Sequence, residues 1–307
     1  MKTDYESAEI IDDSSDEEEY ILEKIKIKDT SIVKEKPVKE KVVKEKVVKE
    51  KVVKEKPVKE KVVKEKVVKE KVIKQKTSLK KCYNETENIF EIGVDEAGRG
   101  PLFGRVYTAA VILPKDDSFD LTMVKDSKKF HSKKKIEEAA EYVKANALAW
   151  SVCYEDERKI DEINILQATQ MAMHNSIHEV RNKYNAITKN LNKFEKKDYT
   201  FSLLVDGNYF NPITYLSKET NQIETIPYLT IEGGDNKYAS IAAASILAKV
   251  ERDKYIDELC ANNPELSLHY GIDSNKGYGA KRHIDGIKEH GITIWHRRTF
   301  APCKNYV

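Results

Sequence analysis

"VDEAGRGPLFG", residues 94–104, ends an apolar run in two adjacent carboxylates and then sets Gly98 and Gly100 around Arg99. Surface acids need no such neighbourhood. Glycine lets a backbone turn sharply and lets another group approach without a Cβ in the way. An arginine between two glycines offers a phosphate a planar, permanently charged fork. The string reads as a place where something is drawn to the backbone beside concentrated negative charge. Asp95 and Glu96 also raise a geometric demand, because neighbours on a regular strand point to opposite faces. For both to serve one site, the strand is expected to break here, with Gly98 and Gly100 making the break.

Working outward, "NIFEIGVDE" (88–96) and "RVYTAAVILP" (105–114) carry the β-branched and aromatic content of buried strands. "HSKKKIEEAAEYVKANA" (131–147) has helical spacing, with Ser132 as N-cap and Ile136, Ala139, Ala140 and Val143 on one face. "LAWSVCYED" (148–156) reads as a strand, "NILQATQMAMHNSIHEVRNKY" (164–184) as a long helix and "FSLLVDG" (201–207) as a strand ending in a turn. "IETIPYLTIEGGD" (223–235) is a further strand, placed at an edge or bent by Pro227. "YASIAAASILAKVERDKYIDELC" (238–260) is a helix whose alanines permit close packing. Three strands and then helix–strand–strand–helix make an α/β fold with a mixed sheet.

Asp95-Glu96 closes one apolar strand and Asp206 another, and ligands of open α/β sheets gather at the carboxyl ends of strands. Asp253, late in the alanine-rich helix, can lean over the same edge. Acids gathered there repel unless they are protonated or bridged by cations. Hard oxygen donors of this kind suit Mg²⁺ or Mn²⁺. Two such ions ~4 Å apart can clamp the attacking and leaving oxygens of a phosphodiester.

Seven strings in order complete the pattern: "GVDEAGRGPL", "DSKKF", "NILQAT", "LVDGN", "IAAASILAKVERD", "SNKGYG" and "HRRTF". Together, over roughly residues 90–301, they resemble the type 2 ribonucleases H, in particular single-chain bacterial-style ribonuclease HII. The resemblance implies a ribonuclease H-like fold, a five-stranded mixed sheet flanked by helices with a C-terminal helical extension. It implies an endoribonuclease that hydrolyses the RNA strand of RNA–DNA hybrids and nicks duplex DNA 5′ of an embedded ribonucleotide. By the same resemblance Asp95, Glu96, Asp206 and Asp253 are the catalytic acids that hold two Mg²⁺ or Mn²⁺ ions. Gly98, Arg99 and Gly100 read the ribose 2′-hydroxyl, and Tyr278 packs on the junction sugar. Ser127 and Lys128 of "DSKKF" belong to the substrate-binding set. Phe103, Arg105 and Ala280 depart from the usual pattern and are expected to touch the substrate channel. The resemblance also implies a monomer without obligate partner subunits.

Other features are read more plainly. His174 and His178, four apart on a helix, lack a third zinc ligand nearby and read as surface histidines. "GGDNK" (233–237) is a turn that brings Asn236 or Lys237 near nucleic acid. "WHRRTF" is basic and aromatic, suited to a duplex backbone, with Trp295 and Phe300 equally suited to a core.

The formal net charge of +2 hides an asymmetry: residues 1–80 carry +4 and the remaining 227 carry −2. Residues 1–33 read as an acidic disordered N-terminus, residues 34–80 as a lysine-rich linker, and 81–307 as the catalytic domain. From Lys34 a five-residue KEKVV-type unit repeats eight times to Ile73, a period that makes neither a strand face nor a helical stripe. A basic arm on nucleic acid phosphates is the functional alternative for that segment. The rival for the whole chain is a catalytically silent nucleic-acid-binding or scaffolding protein that works through its tail. Cys82, Cys153, Cys260 and Cys303 are scattered without metal-finger spacing, as suits structural thiols in a reduced compartment. No apolar run reaches the ~20 residues of a membrane span, and the acidic start is unlike a presequence, so a cytoplasmic protein is expected.

Overall fold

The computed structural model describes residues 79–125, 127–191, 199–217 and 220–307. The chain divides between Lys76 and Thr77. The acidic segment and the KEKVV repeat lie outside the described residues. Packing reaches back to Leu79, which lies against the core, and to Lys80, whose backbone bonds to Lys237 and Ala239 at 2.8 and 2.9 Å.

The chain runs β1 (Ile89–Ala97), β2 (Val106–Ile112), α1 (Lys133–Asn146), β3 (Ala149–Glu155), α2 (Glu157–Leu191) and β4 (Thr200–Asp206). It continues through β5 (Thr214–Leu216), β6 (Ile223–Thr225), β7 (Tyr228–Ile231), α3 (Ala239–Asn262), α4 (Pro264–Tyr270), α5 (Ile272–Asn275) and α6 (Lys281–His290). One five-stranded sheet has the order β3-β2-β1-β4-β7, and β5 and β6 form a separate hairpin. The first three strands pair antiparallel, while β4 runs parallel to both β1 and β7. This is the mixed sheet the sequence predicts.

Strand periodicity assigns the layers. Every residue of β2 is buried: Ala109 and Val111 join α1 and α3 on one face, and Ala110 and Ile112 join α2 on the other. Ile136, Ala139, Ala140 and Val143 form the buried face of α1 as predicted, although the Ser132 side chain makes no capping bond. On β1, Ile92 and Val94 face the α2 layer, which turns Gly93 and Asp95 toward α3. A Cβ at Gly93 would overlap the Ser240 carbonyl carbon, so only glycine lets α3 cross β1 this closely. A third apolar cluster holds Leu102, Phe103, Ile256, Tyr270 and Ile287, binding the C-terminal helices to the segment after β1.

One local reading changes, and the long helix gains a segment ahead of its expected start at Asn164. The stretch over 223–235 is two strands, divided at Pro227, whose carbonyl accepts from the Leu203 amide at 2.8 Å. Within α2, Asn164 takes φ 68°, ψ 163° and breaks the helix; its Oδ1 accepts from the Gln167 amide at 3.1 Å and so caps the second part.

Candidate active site

The expected break in β1 does not occur at the acids. The ladder with β2 continues through Asp95↔Ala109, Glu96↔Thr108 and Ala97↔Tyr107. What ends is the pairing on the other side, where β1 and β4 last meet at Val94↔Val205. The sheet parts one residue before Asp95 and Asp206, giving a crevice between two parallel strand ends. The turn follows at Gly98, with φ +95°, where a Cβ would run into the Arg252 side chain. Gly100 is not at positive φ.

Asp95 is buried at this split. Burial first, and then the charges of Glu96 and Asp206, hold its carboxyl well above the usual carboxylate range, against hydrogen bonds from Ser245 and from the Glu96 amide. The last of these is 2.7 Å long. Glu96 is also pushed up by burial, against the pull of Arg99, whose Nη1 donates to Glu96 Oε1 at 3.2 Å. Asp206 Oδ1 accepts from the Gly234 amide at 2.6 Å, which fixes the carboxylate at the end of β4. Asp253 sits one helical turn beyond Lys249, and Lys249 Nζ donates to both of its oxygens at 2.7 and 2.6 Å.

Asp95, Glu96 and Asp206 thus share one field, while Asp253 is engaged by Lys249. Among the described residues no three His, Cys, Asp or Glu side chains already converge tightly enough to hold a metal ion. The donor chemistry nevertheless fits a divalent cation. Like charges at a buried carboxyl are relieved by a hard cation, and the donors are all oxygen.

The substrate-side residues fall into two groups. Tyr278 is half exposed, and its ring edge lies 3.4 Å from where a Gly100 Cβ would be, so the loop and the aromatic are neighbours. Lys128 reaches toward this edge, 3.8 Å from Asp235, and its charge is felt at Glu96. Ser127 faces inward: it is buried, and its hydroxyl meets Ser245 Oγ at 3.0 Å, behind Asp95.

Two expectations at the rim are corrected. Phe103 is fully buried in the C-terminal cluster, and Arg105 stacks between Tyr154 and Tyr255 at 4.1 and 4.4 Å, so neither borders a channel. Lys237 Nζ donates to the Glu232 carbonyl at 2.7 Å, while Lys129 contacts Asn236. His174 Nε2 donates to the Asn211 carbonyl at 2.8 Å, a structural bond.

The largest correction concerns "WHRRTF". Arg297 is fully buried and donates to the carbonyls of Gly98, Arg99, Pro101 and Gly104 at 2.6–2.9 Å, so it supports the loop from behind instead of meeting a duplex. Arg252, also buried, donates to the carbonyls of Phe103, Arg105 and Lys276 at 3.0–3.3 Å. Neither Arg252 nor Gly93 is singled out by the sequence, and Arg297 stands there in a string suited to a duplex; Trp295, His296 and Phe300 around it are the signal of a core.

A sheet of this order, opened between two parallel strands that each end in a buried or anchored acid, is a ribonuclease H-like fold with an acidic crevice at the strand ends. The family model of ribonuclease HII matches residues 92–303. Ribonuclease HII of Bacteroides thetaiotaomicron is 41% identical over 216 residues, covering 70% of this chain and 90% of that protein. The Neisseria gonorrhoeae ribonuclease HII is 38% identical over 218 residues, covering 71% and 95%. A solved structure of ribonuclease H2 from Pyrococcus horikoshii, 22% identical, covers 71% of this chain and 96% of its own, with a TM-score of 0.46. The chain belongs to the ribonuclease HII family and is a type 2 ribonuclease H. No helix among the described residues is long and apolar enough to cross a membrane.

Proposed function

We propose that the protein cuts the RNA strand of RNA–DNA hybrids and nicks duplex DNA on the 5′ side of an embedded ribonucleotide. The observation that carries this reading is the split between β1 and β4, which sets Asp95, Glu96 and Asp206 beside the Gly98–Gly104 loop. Asp95, Glu96, Asp206 and Asp253 would hold two divalent ions, Mg²⁺ or Mn²⁺, which when bound activate water and screen the phosphate charge. Asp206 is pre-positioned by the Gly234 amide, and Asp95 is backed by Ser245. Asp253 would join them on release of Lys249, which now holds both of its oxygens. Arg99 and Lys128 supply positive charge for the flanking phosphates.

The ribose 2′-hydroxyl both donates and accepts, so backbone groups at Gly98–Gly100 suit it with little bulk. Tyr278, against Gly100, crowds a 2′-hydroxyl on the next sugar and so favours ribose followed by deoxyribose. The catalytic domain acts as a monomer without partner subunits, in the cytoplasm, and the segment before it serves as a linker. The test incubates the protein with Mg²⁺ and end-labelled duplex DNA containing one ribonucleotide, beside an all-RNA/DNA hybrid. Cutting of both supports the reading. Cutting of the hybrid alone removes the junction-reading part.

A further inference from the structure

We infer that Arg297 is the specificity-determining positioning residue of this site: it holds the Gly98–Gly104 loop in the shape that distinguishes ribose from deoxyribose. The inference deepens the ribose-reading function proposed above and rests on it. The ladder of β1 with β2 ends at Ala97 and the loop turns away at a left-handed glycine, so its carbonyls leave that ladder. A loop of that composition has no intrinsic reason to hold one conformation. Arg297 supplies the reason. Nε donates to the Gly104 carbonyl at 2.9 Å, Nη1 to Arg99 and Pro101 at 2.9 and 2.8 Å, and Nη2 to Gly98 at 2.6 Å.

Four carbonyls from one turn converge on one planar fork. No other side chain could replace it, because lysine has a single point of charge and the amides have too few donors. The loop's carbonyl dipoles surround the Arg297 charge; burial and then the neighbouring Arg252 lower its pKa to about 9, against the more distant carboxylates of Glu157 and Asp161. A group so costly to bury is tied to the loop's geometry rather than to general stability.

The same segment fixes the rest of the reader. The Arg297 amide donates to the Leu102 carbonyl at 2.9 Å, and the Gly104 amide to the Trp295 carbonyl at 2.8 Å. On the opposite flank, the Leu102 amide donates to Gly277 at 2.8 Å, one residue before Tyr278. His283 Nδ1 donates to the Tyr278 carbonyl at 2.9 Å and is met from behind by His296 Nε2 at 3.0 Å. Residues 295–297 therefore brace both the loop and the aromatic beside Gly100. Every hydrogen bond of the Arg297 side chain goes to backbone, its guanidinium lies over the Phe300 ring at 5.1 Å, and it acts on substrate through the loop.

The experiment measures affinity, with Ca²⁺ in place of Mg²⁺, for a DNA duplex carrying one ribonucleotide and for the all-DNA duplex of the same sequence. Wild type is expected to prefer the ribonucleotide duplex at least tenfold. Arg297→Lys and Arg297→Gln, checked for a cooperative thermal transition, are expected to bring that ratio to within about twofold of one, the loss falling mainly on the ribonucleotide duplex. A purely structural role would weaken both affinities together and leave the ratio intact, and that result overturns the inference. A folded variant with full preference overturns it equally.

A second measurement needs no variant. The Arg297 Nε–H resonance of the wild-type protein should shift on adding the ribonucleotide duplex and stay in place with the all-DNA duplex. Equal shifts, or none, contradict the inference even if both variants fail to fold. If wild type shows no ribose preference and cuts no hybrid, the proposed function has failed instead, which separates the two failures.

Discussion

Lys249 donates to both carboxylate oxygens of Asp253, at 2.7 and 2.6 Å, along a single turn of α3. The fourth acid is thus already neutralised by a neighbour before any cation arrives. Asp253→Asn should lower turnover on a hybrid by roughly 10²-fold or more, since an amide cannot replace an anionic donor to a cation. Hybrid affinity should change little, because affinity comes mainly from phosphate contacts elsewhere. Steady-state cleavage and filter binding on the same preparation check this; normal turnover removes Asp253 from the site.

Gly93 gives a purely structural prediction. Its missing side chain is where α3 rests on β1, against the Ser240 and Ile241 backbone. Gly93→Ala must push the helix off the sheet, and overpacking of this kind costs about 1–3 kcal/mol. Because α3 carries Ser245 and Asp253, activity should fall with the melting temperature. A variant of unchanged stability would show that α3 sits farther from β1 than described.

The boundary of the folded part is testable by truncation. Leu79 packs on the core, and Lys80 makes two backbone bonds beside the start of α3. A chain starting at Thr77 should melt like full-length protein. One starting at Tyr83 should lose about 1–3 kcal/mol from the two hydrogen bonds and the apolar contact. Equal melting of both would mean that residues 79–82 contribute nothing to the domain.

Much of this was legible in the sequence, for a definite reason. Apolar runs that end abruptly in Asp95 or Asp206 announce strands whose carboxyl ends carry charge, and the face of α1 follows from spacing alone. The fate of β1 was not legible, because the pleat was weighed without the parting of β1 from β4. That parting opens a space at Asp95 while the strand itself continues. Arg252 and Arg297 were hidden because local sequence does not show that a loop elsewhere has carbonyls without partners. Arg252 lies in a string that looks like ordinary charged surface, and Arg297 in one that reads as a duplex contact.

Asp95 carries the pH dependence. Its folded pKa is raised by burial and by Glu96 and Asp206, so metal-free protein gains stability from it at low pH and loses that gain as pH rises from about 4 through the raised value. A divalent cation must displace the proton, so Mg²⁺ affinity should rise with pH, up to about tenfold per unit while one proton is released. Calorimetry in two buffers of different ionisation enthalpy reads that proton directly. Affinity independent of pH, with no proton release, would take Asp95 out of the cation site.

The most direct test of the whole account is cleavage of an end-labelled RNA–DNA hybrid by wild type, Asp95→Asn and Asp206→Asn, with and without Mg²⁺. The account predicts internal cuts in the RNA strand by wild type only when Mg²⁺ is present, with turnover roughly 10²-fold lower or worse in each variant although the hybrid is still bound. Binding of the hybrid without any cutting by wild type, or equal cutting by all three proteins, would contradict it.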